Sequence, residues 1–478
     1  MVGNQSARQV VSSLLALCLF LFGVPRSGLG QSSGTSVQAQ SPFLGSVPTG
    51  PATGMPLDLS LNTALERALK YNLGVIESGE ETRAAHAVRL HSLNPLLPAV
   101  SAHISSSVEQ INLEALGFHL SFPGVYIPKV VGPFGVMDAR AYLSQEIFNW
   151  SHIKTLKSSS ESERASQYSY KSNRERVVLV AGNAYLLVIS DLATVDSIRA
   201  QVKTAQTLYD NDVDLNREGV IASIDVLRAQ VELQTQQQRL IATQNLLAID
   251  KLTLARVIGL PNGQEFRLTD SVPYAPLAAI TLDQALTRAY VTRPDYLSAK
   301  EQVRAAEFAF RAAVAENYPW LSADTNVGDI GSPNFGTSHG TFAFVATLNI
   351  PIFQGSRVRA DKLQADSALQ QRKAELADLG GKIDSDVRTA FFNLKSSSEL
   401  VAVTKSNIDL ANQTLAQAQD RNRAGVADNL EVVQAQESVA SANQAYIASL
   451  YAFNLAKISL ALALGVAEQS TLQYLGVR

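Results

Sequence analysis

The sequence predicts an α+β membrane protein made of two copies of one unit, each unit giving two strands to a bilayer-crossing sheet and a long helical hairpin beyond it. Three observations predict it. The stretch from Glu175 to Leu260 overlays the stretch from Gly381 to Val466 without a gap, setting Tyr185 on Phe391, Arg217 on Arg423, Gly219-Val220 on Gly425-Val426, Gln230 on Gln436 and Gly259 on Gly465. Ahead of each copy stand two segments in which apolar and polar residues alternate. Charged residues are 17% of the chain, below the roughly 25% of soluble domains, which suits close-packed helices or contact with lipid. A tandem of this layout is an architecture before it is an active site.

The chain begins with what reads as a secretory signal, residues 1–30. Arg8 precedes an apolar run from Leu14 to Val24, and small residues at Gly28-Leu29-Gly30 precede Gln31; Ala39 offers a second cleavage point. The only cysteine, Cys18, lies in that run, so no disulfide is expected in the mature chain. Residues 31–56, rich in Ser, Gly, Pro, Thr and Gln, read as a flexible linker.

The first repeat is expected over 57–260. Helices occupy 57–98, because Leu61, Ala64, Leu65, Ala68 and Leu69 share one helical face behind a capping Ser60. Pro95 and Pro98 stop them. A β-hairpin over 99–148 follows, with Val100, Ala102, Ile104 and Val108 alternating with polar residues, then Met137, Ala139, Ala141 and Leu143 alternating with Asp138, Arg140, Tyr142 and Ser144. A loop from Ile111 to Phe134, carrying Phe118, Phe122 and Tyr126, is the longer of the two hairpin loops. A helical hairpin is expected over 149–260, with Val188, Val195, Val202 and Tyr209 spaced by seven and small residues between, the mark of helices packed side by side.

The second repeat, 261–478, has the same order. Helices fall at 281–319, opened by Thr281 and Gln284 at capping-box spacing and stopped by Pro319. A hairpin covers 320–353, a helical hairpin 354–466 with Leu394, Val401, Ile408 and Leu415 at spacings of seven, and a short tail 467–478. Glycine permits the reversal at each helical turn, Arg217-Glu218-Gly219-Val220 and Arg423-Ala424-Gly425-Val426.

Each alternating segment approaches the roughly 9–11 residues a tilted strand needs to cross a bilayer, whereas no stretch after the signal holds the ~20 consecutive apolar residues of a spanning helix. Four strands cannot close a barrel, since the smallest have about eight. Lipid forbids an open edge, so a homo-oligomer follows.

The duplicated order of short helix, proline stop, β-hairpin and long helical hairpin, with R-x-G-V turns followed by Asp225-Val-Leu-Arg-Ala and Glu431-Val-Val-Gln-Ala, resembles the TolC outer-membrane efflux family from about Leu57 to Val466. The resemblance implies a homotrimer in the outer membrane: a 12-stranded β-barrel continued by a periplasmic α-helical barrel. It implies an exit duct of a tripartite efflux or type I secretion system, joined by a periplasmic adaptor protein to an inner-membrane pump of RND, ABC or MFS type. Outer-membrane lipid would surround the strands. Asp225 and Glu431, in equivalent places, would line a gate near the tunnel's periplasmic end, although each also suits the first turn of a returning helix, where a carboxylate complements the dipole. Asp428 stands at capping-box spacing before Glu431. Gln434 occupies a place where similar proteins carry a second carboxylate, and Ala427 one where they carry an arginine, so this chain departs from the family pattern of a double acidic ring and an arginine lock. The turns with Arg217, Gly219, Val220, Arg423, Gly425 and Val426 would dock the adaptor.

A soluble periplasmic coiled-coil scaffold or adaptor is the competing reading; it requires no membrane-crossing alternation. A net charge of −3 gives no reason to expect nucleic acid. The six histidines are scattered, and no nucleophile elbow, phosphate loop or Cys/His cluster is present. No catalytic residue, cofactor or metal is therefore expected.

Overall fold

A computed structural model describes residues 41–117, 124, 128–270, 274–277, 280–332, 336–424, 426 and 429–476. The expected signal, part of the linker, Phe118, Phe122, Tyr126, Gly425, Ala427 and Asp428 lie outside the described residues. From Pro42 onward the chain is one body.

Two short helices open each half. Helix α1 (Leu61–Tyr71) starts where Ser60 accepts the Thr63 N–H, and α2 (Leu73–Leu93) follows it. In the second half, α5 (Leu282–Thr292) starts at a complete capping box between Thr281 and Gln284, and α6 (Pro294–Ala315) follows with proline at its first position. A short strand precedes each pair: β1 (Leu57–Leu59) and β4 (Phe266–Leu268) pair in parallel.

The second sheet is antiparallel, in the order β2 (Ala99–Asn112), β3 (Val130–Phe148), β5 (Trp320–Ser332), β6 (Thr337–Asn349). These strands, 13 to 19 residues long, exceed the ~9–11 needed to cross a bilayer. Their register aligns the two alternations. Val100 pairs with Leu143, Leu143 with Thr325 and Thr325 with Phe344, so Val100, Ile104, Leu143, Val327, Phe342 and Phe344 share one face. On it Val100 and Ile104 are each 72% exposed and Phe342 72%. Ser101, Ser105, Arg140, Asp138, Asp324 and Asn326 share the other face. Such a sheet separates lipid from water.

Strand turns to helix through a single residue. Asn149 accepts the His152 N–H at 3.2 Å, and α3 (Trp150–Arg217) runs on for 68 residues, about 100 Å at ~1.5 Å per residue. Its partner in the other half, α7 (Arg357–Arg423), has 67 residues. The returning helices are half as long: α4 (Ser223–Val257) and α8 (Asn429–Ala463), with α9 (Ala467–Leu475) closing the chain. Each long helix is thus accompanied by a returning helix along its far half and by a short-helix unit along its near half.

Helix α3 is the spine, packing on α2, α4, α6 and α8. Small residues bring it close to α6: Ser158 donates to the Ala305 carbonyl at 2.8 Å, and Ser298 to the Ala165 carbonyl at 2.8 Å. The main core gathers Leu59, Leu61, Val177, Tyr185, Val188, Leu254 and Ile458, where the short helices, β1 and three long helices meet. By composition α3 and α8 each contain a window apolar enough to cross a membrane, beyond the expectation from sequence. About half of each window is buried within the chain.

Gly259 and Gly465 end the two returning helices with the same φ of +69°. A Cβ at Gly465 would stand 2.6 Å from Arg293 Cα, and one at Gly259 2.7 Å from Tyr71 Cβ, so each glycine lets a helix end touch the junction between two short helices. Gly219 has φ +75° but open space around it. Gly465→Ala is therefore expected to cost more than the ~1 kcal/mol of a positive-φ alanine, and Gly219→Ala no more than that. Thermal unfolding of the two variants side by side measures the difference.

Candidate functional site

The first turn follows from local hydrogen bonding. The Gly219 N–H reaches the Asn216 carbonyl at 3.0 Å and the Val220 N–H the Leu215 carbonyl at 2.9 Å, a Schellman ending in which glycine supplies the left-handed residue. In the second turn the Val426 N–H reaches the Arg421 carbonyl at 3.0 Å. Arg217 and Arg423 each bridge back three residues, to Asp214 at 3.1 Å and Asp420 at 3.3 Å. Val220 and Val426 are left about two-thirds exposed, so both turns present an apolar tip beside a tethered arginine.

The two turns are neighbours. A groove of about 880 Å³ is lined by Val220, Ile221 and Asp225 from one hairpin and by Asn422, Arg423 and Gln436 from the other. Beneath it Ala418, Val432 and Ala435 pack with Leu208 of α3. Gln434 faces a different groove, of about 1100 Å³, with Gln201, Arg239, Asn407, Glu437 and Ser441. The structure thus brings Asp225 to the turns and separates Gln434 from it.

Asp225 and Glu431 both lie in the first turn of a returning helix. Their ion pairs differ. Asp225 meets Arg228 on its own helix at 3.1 Å, whereas Glu431 reaches across its hairpin to Arg421 at 3.2 Å. Sequence reasoning missed both cations, and the repeat held the signal: Leu215 stands where Arg421 does, and Gln434 where Arg228 does.

A second acidic feature also went unread. Asp191 of α3 is 6% exposed, its Oδ2 makes no hydrogen bond, and it faces Asp250 of α4. Burial, then the facing carboxyl, pushes the Asp191 carboxyl up to about 7. Nearby, Tyr451 donates to Asn183 Oδ1 at 2.6 Å. Ser397 and Ala456 occupy the equivalent places in the second repeat, so only one of the two hairpins carries this pair.

A family model described as "Outer membrane efflux protein" matches residues 134–260 and 285–466, well over half of the chain, covering both helical hairpins and most of the four-stranded sheet. The chain belongs to this family. As an outer membrane efflux protein it is a protein of the cell outer membrane, in a family of transport proteins rather than enzymes. It is 26% identical over 323 residues to the probable efflux pump outer membrane protein TtgC of Pseudomonas putida, across 64% of this chain and 63% of that protein; the chain thus spans under two-thirds of that relative's length. It is 24% identical to the pyoverdine export outer membrane protein OpmQ of Pseudomonas aeruginosa, across 96% of this chain and 98% of that one. The crystal structure of the Campylobacter jejuni CmeC outer membrane channel superposes with a TM-score of 0.72 at 15% identity, covering 89% of this chain and 92% of that one.

The carboxyl pair makes stability depend on pH. A raised folded-state value means the folded protein holds a proton that the unfolded chain releases near pH 4, so this contribution is full below ~4 and is lost as pH rises through about 7. Asp191→Asn is expected to flatten that slope and to raise the unfolding midpoint at pH 8 relative to the unmodified protein. Thermal unfolding at pH 5 and pH 8 checks it.

Proposed function

We propose that this chain forms, as a homotrimer, the outer-membrane exit duct of a tripartite efflux or type I secretion system, passively conducting substrates delivered by an inner-membrane pump through a periplasmic adaptor protein. One observation carries the reading. A four-stranded sheet, apolar on one face and polar on the other, leaves β2 and β6 as edges and runs at one end into helices of about 100 Å. Edge N–H and C=O groups cost several kcal/mol each in lipid, so the sheet must close with other copies. Three copies supply twelve strands and twelve hairpin legs.

The helices support the same closure. Helix α4 carries Ile224, Leu227, Val231, Ile241 and Leu252 more than half exposed, and α7 likewise Leu363, Phe392, Val403 and Leu410. These stripes suit neighbouring copies. Energy comes from the pump, and this chain supplies a water-filled path and a gate; no enzymatic step is assigned to it.

The exposed turns suit an adaptor, with Val220 and Val426 as apolar contacts beside Arg217 and Arg423. Asp225 and Glu431 would set the charge of the gate together with Arg228 and Arg421. The Arg421–Glu431 pair, about half exposed on both sides, contributes little to stability, in the range of ~0–1 kcal/mol. Its effect belongs to conduction. Glu431→Gln should lower the cation preference measured by reversal potential in planar bilayers, and Arg421→Gln should raise it, with both variants as stable as the unmodified protein to within ~1 kcal/mol. Unchanged selectivity in both would reduce Glu431 to a helix-end carboxylate, and a monomer in the soluble fraction would sink the duct itself.

A further inference from the structure

Where the four-stranded sheet meets the helices, its apolar face ends in a notch of about 450 Å³. Phe148, Trp150, Tyr318, Trp320, Leu321 and Leu348 line it, together with Pro319. Phe148 pairs with Leu321 and Leu321 with Leu348, so the notch opens on the same face as Val100 and Phe344. The lining comes from β3, β5, β6 and the start of α3, on the face that a closed sheet would turn toward lipid. The Phe148 and Trp150 rings meet edge to face at 5.2 Å and brace one side. Tyr318 and Trp150, each over 40% exposed, form its rim.

Below the rim stand three cations. Lys154, one turn along α3, holds Nζ 5.2 Å from the Trp150 ring. Lys157, one turn further, and Arg311 of α6 both lie over Phe308, at 5.9 and 5.4 Å. None of the three makes an ion pair among the described residues. The acids nearest the rim are engaged elsewhere, Glu146 with His152 at 2.5 Å and Glu316 with Arg357 at 3.0 Å. Interfacial aromatic residues mark the depth at which headgroups begin, so the cations stand at phosphate level on the periplasmic side.

We propose that the notch and the three cations form a binding site for a phospholipid of the periplasmic leaflet, one acyl chain filling the notch and the phosphate held by Lys154, Lys157 and Arg311. The site extends the outer-membrane placement argued above and rests on it. A lipid held there would seat the strand-to-helix transition at a fixed depth, a role that the general aromatic girdle performs less specifically.

Native mass spectrometry of the full chain, purified in detergent and titrated with phosphatidylglycerol, tests the site. The unmodified protein is expected to retain up to one lipid per chain. Lys154→Glu with Lys157→Glu and Arg311→Glu should weaken retention about tenfold or more, since each surface cation adds to the attraction of an anionic headgroup. Trp150→Ser should weaken it for phosphatidylglycerol and phosphatidylcholine alike, and millimolar inorganic phosphate should not displace the lipid. Retention by the triple variant equal to that of the unmodified protein, or no retained lipid at all, overturns the inference. The same spectra report assembly: lost lipid with intact oligomer counts as above, whereas an unassembled chain contradicts the duct reading instead.

Discussion

Everything in this molecule depends on the hydrogen bonds that its membrane sheet cannot make alone. In water an unpaired strand edge is solvated, but in hydrocarbon each N–H and C=O must find a protein partner. Strands β2 and β6 leave two such edges, one at each side of the sheet. In the proposed trimer the chain would carry a third of a wall, and its long helices the matching third of a tunnel. Exposed apolar residues on α4 and α7 are the same constraint expressed in side chains. In the proposed trimer they would be covered by neighbouring copies.

The duplication supplies two equivalent legs, and the junctions between them are held by unequal chemistry. In the first half, Asn72 is wholly buried, accepts the Gly74 N–H at 3.0 Å and donates to the Phe43 carbonyl at 2.7 Å. At the matching junction Arg293 is buried instead and forks onto Asp295, with a further contact to Asp386 at 3.1 Å. Burial works against the charges there, yet the Arg293 fork and the Tyr296 N–H keep the Asp295 carboxyl below its ordinary value. Two halves of one ancestral plan have thus kept their glycine turns and replaced their polar joints. The acidic pair at Asp191 and the bridge at Arg421 follow the same rule, each present in one half only.

What could be read from sequence was whatever is local or periodic. The alternation in the four strands, the caps at Ser60 and Thr281, the turn at Gly219 and the long helices all depend on residues within a few positions of each other. The ion pairs near the turns were less legible. Arg421 and Glu431 stand on opposite legs of a hairpin, and only the lateral register of α7 and α8 brings them together. Asp191 and Asp250 are nearly equidistant from their turn, a signal that distance counting would have found. Neither the parallel pairing of β1 with β4 nor the aromatic notch was readable, since the first joins three-residue strands about 200 positions apart and the second arises from the register shift between Glu146 and Phe148.

The most direct measurement is disulfide trapping across the two sheet edges. Single cysteines would be placed on the polar face of β2, at Ser101 or Ser105, and combined with one on the polar face of β6, at Thr341, Val345 or Thr347. If β2 of one copy pairs with β6 of the next, at least one combination should oxidise to covalently linked oligomers ending at three chains, and the corresponding single substitutions should give none. A chain that stays monomeric in every combination, while inserted in membrane, would contradict the account.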